Sequence, residues 1–309
     1  RVVEVAANDG YLLQYVQAAG IPCYGVEPTA STARAARTKG IEIIERFFGV
    51  ALGTELAATG LQADLMVANN VLAHVPDIND FVAGFVRLLK PQGVATFEFP
   101  HLLRMVQGCQ FDTAYHEHYS YLSLTAVSRV FAANGLDVFD VEELPTHGGS
   151  LRVFAQRQDS GSRPIEAAVA TLLCVERDAG MLSAKFYDQF QLQPSRIARE
   201  LLSFLIDQVN AGRRVAAYGA AAKGNTLFNF AGVRPHLLPY VVDKNPAKQE
   251  KYLPGSHIPV VSEAHLRADR PDFVLILPWN LKDEVMEQLA YVRAWGGKFV
   301  TAVPRLEVL

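Results

Sequence analysis

Seven consecutive residues, Tyr115-His116-Glu117-His118-Tyr119-Ser120-Tyr121, hold two imidazoles, a carboxylate and three phenols. Imidazole takes up a proton near neutral pH, so such a segment can supply a general base. A neighbouring carboxylate can orient the ring and stabilise its cation. Two other readings fit the same residues. One is a buried aromatic loop whose histidines are satisfied. The other is a zinc site using His116 and His118, which needs further ligands that the sequence does not point to.

A second chemical signal opens the chain: Val3-Glu4-Val5-Ala6-Ala7-Asn8-Asp9-Gly10-Tyr11. An acidic residue inside a strand, a tight turn of small residues and then a helix make a nucleotide-binding arrangement, because the backbone can approach the ligand closely. Seventeen residues beyond Gly10, Cys23-Tyr-Gly-Val-Glu27-Pro28 ends a second apolar run on a carboxylate. There it can accept both hydroxyl protons of a ribose. A third stretch, Asp64-Leu-Met-Val-Ala-Asn69-Asn70-Val-Leu-Ala-His74-Val-Pro76-Asp77, is a strand ending in polar groups. Together these resemble the motifs of class I methyltransferases, with Ala6 and Asn8 where glycines are usual. Asn8 tolerates the left-handed backbone that the turn needs. The resemblance implies S-adenosylmethionine as cofactor, held by Glu4, Ala6, Asn8, Gly10, Glu27, Pro28, Asn69 and Asn70. The nicotinamide fingerprint G-x-G-x-x-G is missing.

These segments need a scaffold, and the hydrophobic pattern supplies one. Strands are expected at Val2–Ala6, Cys23–Glu27, Ile41–Glu45, Asp64–Ala68, Val94–Phe99, Val138–Glu142 and Leu151–Ala155. Continuous apolar strands alternating with helical patterns predict a parallel sheet covered on both faces. The short link Glu143–Ser150 makes the last two an antiparallel pair. Helical spacing follows in Ile165–Leu173 and Ile197–Ile206. A second α/β unit then reads Val215–Tyr218, Tyr240–Val242, Pro259–Val261, Phe273–Leu277 and Phe299–Ala302. The fold expected is α/β: a Rossmann-like cofactor domain over residues 1–160, a helical connector over 161–212, and a second Rossmann-like domain over 213–309.

The turn Gly219-Ala-Ala-Ala-Lys223-Gly224-Asn225 brings backbone N–H groups, a lysine and a helix start together. That combination suits a diphosphate.

The full set of motifs is similar to the sugar C-methyltransferases that build branched deoxysugars, of the mycarose and tetronitrose type. It comprises Glu4–Gly10, Val71–Asp77, Phe97-Glu-Phe-Pro100-His101, Tyr115–Tyr121, Thr146-His147-Gly-Gly-Ser150, Tyr218–Asn225, Val241-Val-Asp243-Lys-Asn-Pro246 and Leu277-Pro-Trp279-Asn280. The resemblance spans essentially the whole chain. It implies a nucleotide-linked 4-keto sugar methylated at the carbon beside the ketone. His118 would be the general base, with Tyr115, Glu117 and His74 beside it. Lys223, Asn225, Asp243, Trp279, Asn280 and His147 would hold the nucleotide-sugar. The family also carries an N-terminal four-cysteine zinc module, absent here, so no metal is expected in this chain.

Composition narrows the alternatives. Half the 309 residues are hydrophobic and the net charge is −3, which argues against a nucleic-acid or membrane partner. Cys23, Cys109 and Cys174 are too scattered for a disulfide framework, which suits a reducing cytoplasm. No signal peptide is visible. Because residue 1 already enters a core strand, a preceding segment is expected. The residues leave open methylation of oxygen or nitrogen, a nicotinamide oxidoreductase built on Gly219–Gly224, and an inactive binding module.

Overall fold

The computed structural model describes residues 1–188 and 190–309, which divide into two compact units. The first comprises residues 1–104 and 117–182, the second 105–116 and 183–309.

The first unit is a seven-stranded sheet: β1 (Val2–Val5), β2 (Cys23–Val26), β3 (Ile43–Ile44), β4 (Ala63–Asn69), β5 (Leu89–Pro100), β6 (Leu136–Leu144) and β7 (Ser150–Arg157). Its order is β3-β2-β1-β4-β5-β7-β6. Neighbours from β3 to β5 pair in parallel, and β7 runs antiparallel to both β5 and β6. Six strands therefore point one way and β7 opposes them. All four residues of β1 are buried, which is why the strand reads as an unbroken apolar run around Glu4. The helices are α1 (Leu13–Ala18), α2 (Ala30–Thr38), α3 (Val50–Ala58), α4 (Ile78–Leu88), α5 (Leu102–Gln107), α6 (Leu124–Ala133) and α7 (Ala167–Asp178). α4 buries Phe81, Val82, Phe85 and Leu88 along one stripe. Asp77 starts it, accepting the N–H groups of Asn79 and Asp80 at 3.1 and 3.0 Å.

The second unit holds α8 (Lys185–Asp188), α9 (Leu192–Asn210), α10 (Ala222–Ala231), α11 (Glu263–Asp269) and α12 (Lys282–Gln288). Its strands are β8 (Val215–Tyr218), β9 (Val241–Val242), β10 (Val260–Val261), β11 (Phe273–Ile276), β12 (Lys298–Thr301) and β13 (Glu307–Val308), in the order β10-β9-β8-β11-β12-β13.

Three details differ from the sequence reading. The expected strand Ile41–Glu45 pairs only at Ile43–Ile44. It lies at the sheet edge, and Ile41 instead closes the turn after α2 through its N–H to Ala36. β5 starts at Leu89, earlier than Val94, because its pairing with β4 resumes at Ala63–Leu89 across a register shift at Ala63/Leu65. β13 is two residues long and carries no pattern to read. The helical stretch after residue 161 is also built into the cores: α7 buries Val169 and Leu172, and α9 buries Ile197, Leu201 and Leu205.

Residues 105–116 follow α/β neighbours of the first unit yet pack with the second. Cys109 and Phe111 are buried in its core, and the Phe111 ring lies 5.1 Å from that of Phe230.

Candidate active site

In open α/β sheets, ligands sit outside the carboxyl ends of the strands where the order reverses. In the first sheet that point lies between β1 and β4. The turn after β1 places Ala6, Asn8 and Gly10 at φ of 59°, 53° and 75°. These left-handed values make the tight turn without glycine at the first two positions. At Gly10 the left-handed φ favours glycine, and a Cβ there would displace Ile41 Cδ1 and stand 3.2 Å from Ala36 Cβ.

Glu27 ends β2 and reaches back to this turn. Its Oε2 accepts the Asn8 N–H at 3.0 Å and its Oε1 accepts the Thr29 N–H at 2.8 Å. Each oxygen keeps a further lone pair, so a vicinal diol could be bound without breaking either bond. Pro28 follows, partly exposed. Glu4 is buried, and its Oε2 has no partner. Burial, with a smaller push from Asp9, raises its carboxyl to about 8. At the end of β4 the Asn69 Oδ1 is likewise buried without a partner, while Asn70 turns at φ 54° and gives its N–H to the Glu98 carbonyl at 2.7 Å. Unpartnered buried acceptors are costly, and these converge where the fold places a ligand.

His74 and His118 come together in the same unit. His74 ends a short 3₁₀ turn, Leu72–His74, after β4. The two imidazole centroids lie 4.7 Å apart, edge to face, and Tyr121 lies 5.6 Å from His118. Ala73 O receives the N–H groups of Tyr119 and Ser120 at 2.8 and 3.3 Å, which pins the His118 segment beside the His74 turn. Glu117 is exposed, as is His116. Tyr115 is half-buried and belongs to the segment that packs with the second unit. His147 sits in the β6–β7 turn at φ 56°, with Gly148 and Gly149 also left-handed. Among the described residues no group of three or more histidine, cysteine or acidic side chains could hold a metal.

The second sheet reverses between β8 and β11. Lys223 on α10 and the Trp279–Leu281 turn after β11 meet there. Lys223 Nζ donates to Asn280 Oδ1 at 2.6 Å and stands 4.4 Å over the Trp279 ring. Burial lowers its ammonium below the ordinary lysine value. Its direct partners are a neutral amide and a π-face, while the carboxyl of Asp112 acts on its charge from nearby and opposes the lowering. Asn225 Oδ1, two residues on, is buried without a partner.

Asp243 ends β9 as Glu27 ends β2. Its Oδ2 accepts the Ala220 N–H at 2.8 Å and its Oδ1 the Asn245 N–H at 2.8 Å. Here Lys248 also binds Oδ2, at 3.2 Å, and the Ala220 carbonyl, at 2.9 Å.

One residue of this site escaped the sequence reading. Asp112 is fully buried and accepts the Trp279 indole N–H at 2.7 Å, while its Oδ1 is unpartnered. Burial raises its carboxyl to about 6 against that hydrogen bond. Nothing in the local run Gln110-Phe-Asp-Thr113 signals a partner 167 residues away.

Comparison with known proteins agrees with this architecture. A family described as "C-methyltransferase C-terminal domain" matches residues 145–304, and one described as "Methyltransferase domain" matches residues 1–141. The C-methyltransferase NovU of Streptomyces niveus is 33% identical over 308 residues, covering 100% of this chain and 73% of that protein. Among solved structures, an S-adenosylmethionine-dependent methyltransferase from Mesorhizobium loti is 14% identical, with a TM-score of 0.41 over 51% of this chain and 90% of that one. The magnesium protoporphyrin IX methyltransferase of Synechocystis with bound cofactor is 15% identical, with a TM-score of 0.38 over 50% and 69%. The match at both domain and full-chain level places this chain in the C-methyltransferase family, as an S-adenosylmethionine-dependent enzyme.

Proposed function

We propose that the protein methylates a carbon next to the ketone of a nucleotide-linked keto-deoxysugar, with His118 as the base. The observation that carries this is the pairing of His118 with His74 beside the β4 end, together with a separate cation-bearing site in the second unit. Oxygen or nitrogen acceptors need no C–H base. A C–H beside a ketone is acidic enough only when a base is placed on it and the enolate oxygen is stabilised. His118 takes the proton, and its electron pair stays on the carbon and its neighbouring carbonyl. His74 and Tyr121, around His118, are the groups within reach to donate toward that oxygen.

S-adenosylmethionine, when bound, supplies an electrophilic methyl on a positively charged sulfur. Its holders would be the Ala6–Gly10 turn with Glu4, Glu27, Pro28, Asn69 and Asn70. The open lone pairs of Glu27 and the orphaned oxygens of Glu4 and Asn69 fit a ligand that brings hydroxyl and ammonium donors. Glu27→Ala should therefore weaken cofactor binding by about 1–3 kcal/mol, the cost of leaving buried donors unpaired. Unchanged affinity in a folded variant, read by calorimetry, would remove Glu27 from the site.

The second unit would hold the nucleotide. Lys223, Asn225, Trp279 and Asn280 would hold the diphosphate by charge and polarity, while Asp243, engaged by Lys248, shapes the turn. Lys223→Ala should raise the dissociation constant of a nucleoside diphosphate about tenfold, a charge-assisted contact's worth, and leave that of S-adenosylmethionine unchanged. Equal loss of both ligands in titration would refute this division of labour. The function itself is tested by incubating the protein with S-adenosylmethionine and a nucleotide-linked 4-keto-deoxysugar. A methyl group found on carbon supports the reading, and a methyl found only on oxygen or nitrogen overturns it. With cysteines scattered and unpaired, the reaction is assigned to a reducing cytoplasm.

A further inference from the structure

We propose that His101 and Glu176 are positioning residues that hold the segment carrying His118 against the turn carrying His74. The proposal rests on the reading of His118 as the base. Neither side chain was expected to act in the site, and both are fully buried.

The backbone that follows His118 is anchored at successive points. Immediately after it, Tyr119 and Ser120 donate to the carbonyl of Ala73, the residue before His74. Downstream, Leu122 forms a bridge with His101, and the Leu122 carbonyl accepts the Leu102 N–H at 2.9 Å. His101 is itself fixed by its N–H to Gly149 O at 3.0 Å. The chain then enters α6 through Ser123, whose Oγ accepts the Ala126 N–H at 3.1 Å. The first free N–H groups of that helix, on Leu124 and Thr125, are taken by Glu176 from α7, at 2.7 and 2.8 Å.

Glu176 does more than cap the helix. Its Oε1 also accepts from His101 Nε2 at 2.8 Å, and its Oε2 from Thr125 Oγ1 at 2.6 Å. Four donors fill the four lone-pair directions of one carboxylate. Burial pushes the carboxyl up, and these hydrogen bonds outweigh it and hold the group below the usual glutamate range. Because a carboxylate only accepts, the His101 proton lies on Nε2, leaving the buried Nδ1 without a partner. One anion thus ties together the end of β5, the start of α6 and α7.

Stability alone does not call for such an arrangement. Apolar side chains of the same volume serve a core as well as a buried ionic pair or better. What a saturated carboxylate adds is direction. It fixes three pieces of backbone to one point, and the segment thus fixed begins just after the proposed base. Misplacement of a reacting group by about 1 Å can cost 10²-fold in rate.

The test uses the full chain with Glu176→Gln, which keeps the volume but cannot accept all four donors. Two readouts are needed. In ligand-free protein, the Cε1–H resonance of His118 should shift and broaden, while that of His265, which belongs to the second unit, should not. In turnover with the keto-sugar nucleotide, kcat should fall about 10- to 100-fold, with KM and cofactor affinity within about twofold. In a His118→Ala background the same substitution should cost less than about twofold, since its effect passes through that ring. Equal rate losses in both backgrounds would overturn the proposal. So would a lower melting temperature with the His118 resonance unmoved and kcat of the folded protein unchanged. If Glu176→Gln does not fold, Thr125→Val removes one of the four bonds and should give the same pattern, smaller. Should the wild type methylate no keto-sugar, the function fails, and the resonance still decides whether His101 and Glu176 position His118.

Discussion

His118→Ala should lose both methyl transfer and solvent exchange at the reacting carbon, while binding both ligands as the wild type does. A general base contributes about 10²- to 10⁴-fold to rate, so a loss of that order is expected. The intact enzyme, given its keto-sugar in heavy water, should place deuterium at that carbon if proton removal is reversible. Measuring exchange separately from methylation isolates the base from the methyl donor. His116 serves as the internal control. It is exposed, two residues away, and should tolerate alanine better. Glu117 is exposed as well, so Glu117→Gln should cost less than loss of the ring it was expected to orient. If His116→Ala abolishes exchange while His118→Ala turns over normally, the base is misassigned.

On the proposed reading His74 has a part distinct from that of His118. Its ring is edge to face with that of His118 at 4.7 Å. Loss of His74 should slow methylation with His118 still present, because the enolate oxygen would lose a donor. The two histidines should therefore show non-additive losses in a double variant.

Much of this arrangement is legible in the sequence, for a physical reason. Parallel strands are buried on both faces, so Val215–Tyr218 stands out as a continuous apolar run and Val2–Val5 as one interrupted only by Glu4. Their ends are where backbone must approach a ligand, so small and polar residues mark the turns. Ala6 and Asn8 obscure that mark, yet both adopt the left-handed backbone of the glycines they replace. The residues missed are those whose meaning lies in a distant partner. Asp112 reads as a loop aspartate until Trp279 is placed on it. Glu176, in Val175-Glu-Arg-Asp178, reads as part of a solvated helix face, yet its carboxylate accepts four hydrogen bonds. Helical spacing cannot show that residues 101, 124 and 125 converge on it. The allegiance of residues 105–116 to the second unit is hidden likewise, since Cys109 and Phe111 are apolar enough to suit either core.

Glu4→Gln is expected to separate stability from binding. Burial, aided by the charge of Asp9, raises the Glu4 carboxyl from 4.5 to about 8, so at neutral pH the ligand-free protein keeps it protonated. An unfolded chain ionises it near 4.5. Between those values the folded state binds more protons than the unfolded one, so stability falls as pH rises from 4.5 to about 8 and is level above. Glu4→Gln removes this penalty. The variant should match the wild type in stability below about pH 5 and exceed it by roughly 2–4 kcal/mol above about pH 8, a window read by denaturant titration. Cofactor binding should go the other way. A ligand that brings ammonium or hydroxyl donors to the orphaned Oε2 favours the ionised carboxyl. Binding of S-adenosylmethionine near neutral pH should then release a proton, visible in calorimetry as a dependence of the heat on the ionisation enthalpy of the buffer. Glu4→Gln should bind more weakly and release none. Equal proton release by both proteins would place the titrating group elsewhere, and a variant whose stability follows the wild type across the whole range would show that Glu4 is ionised in the free protein.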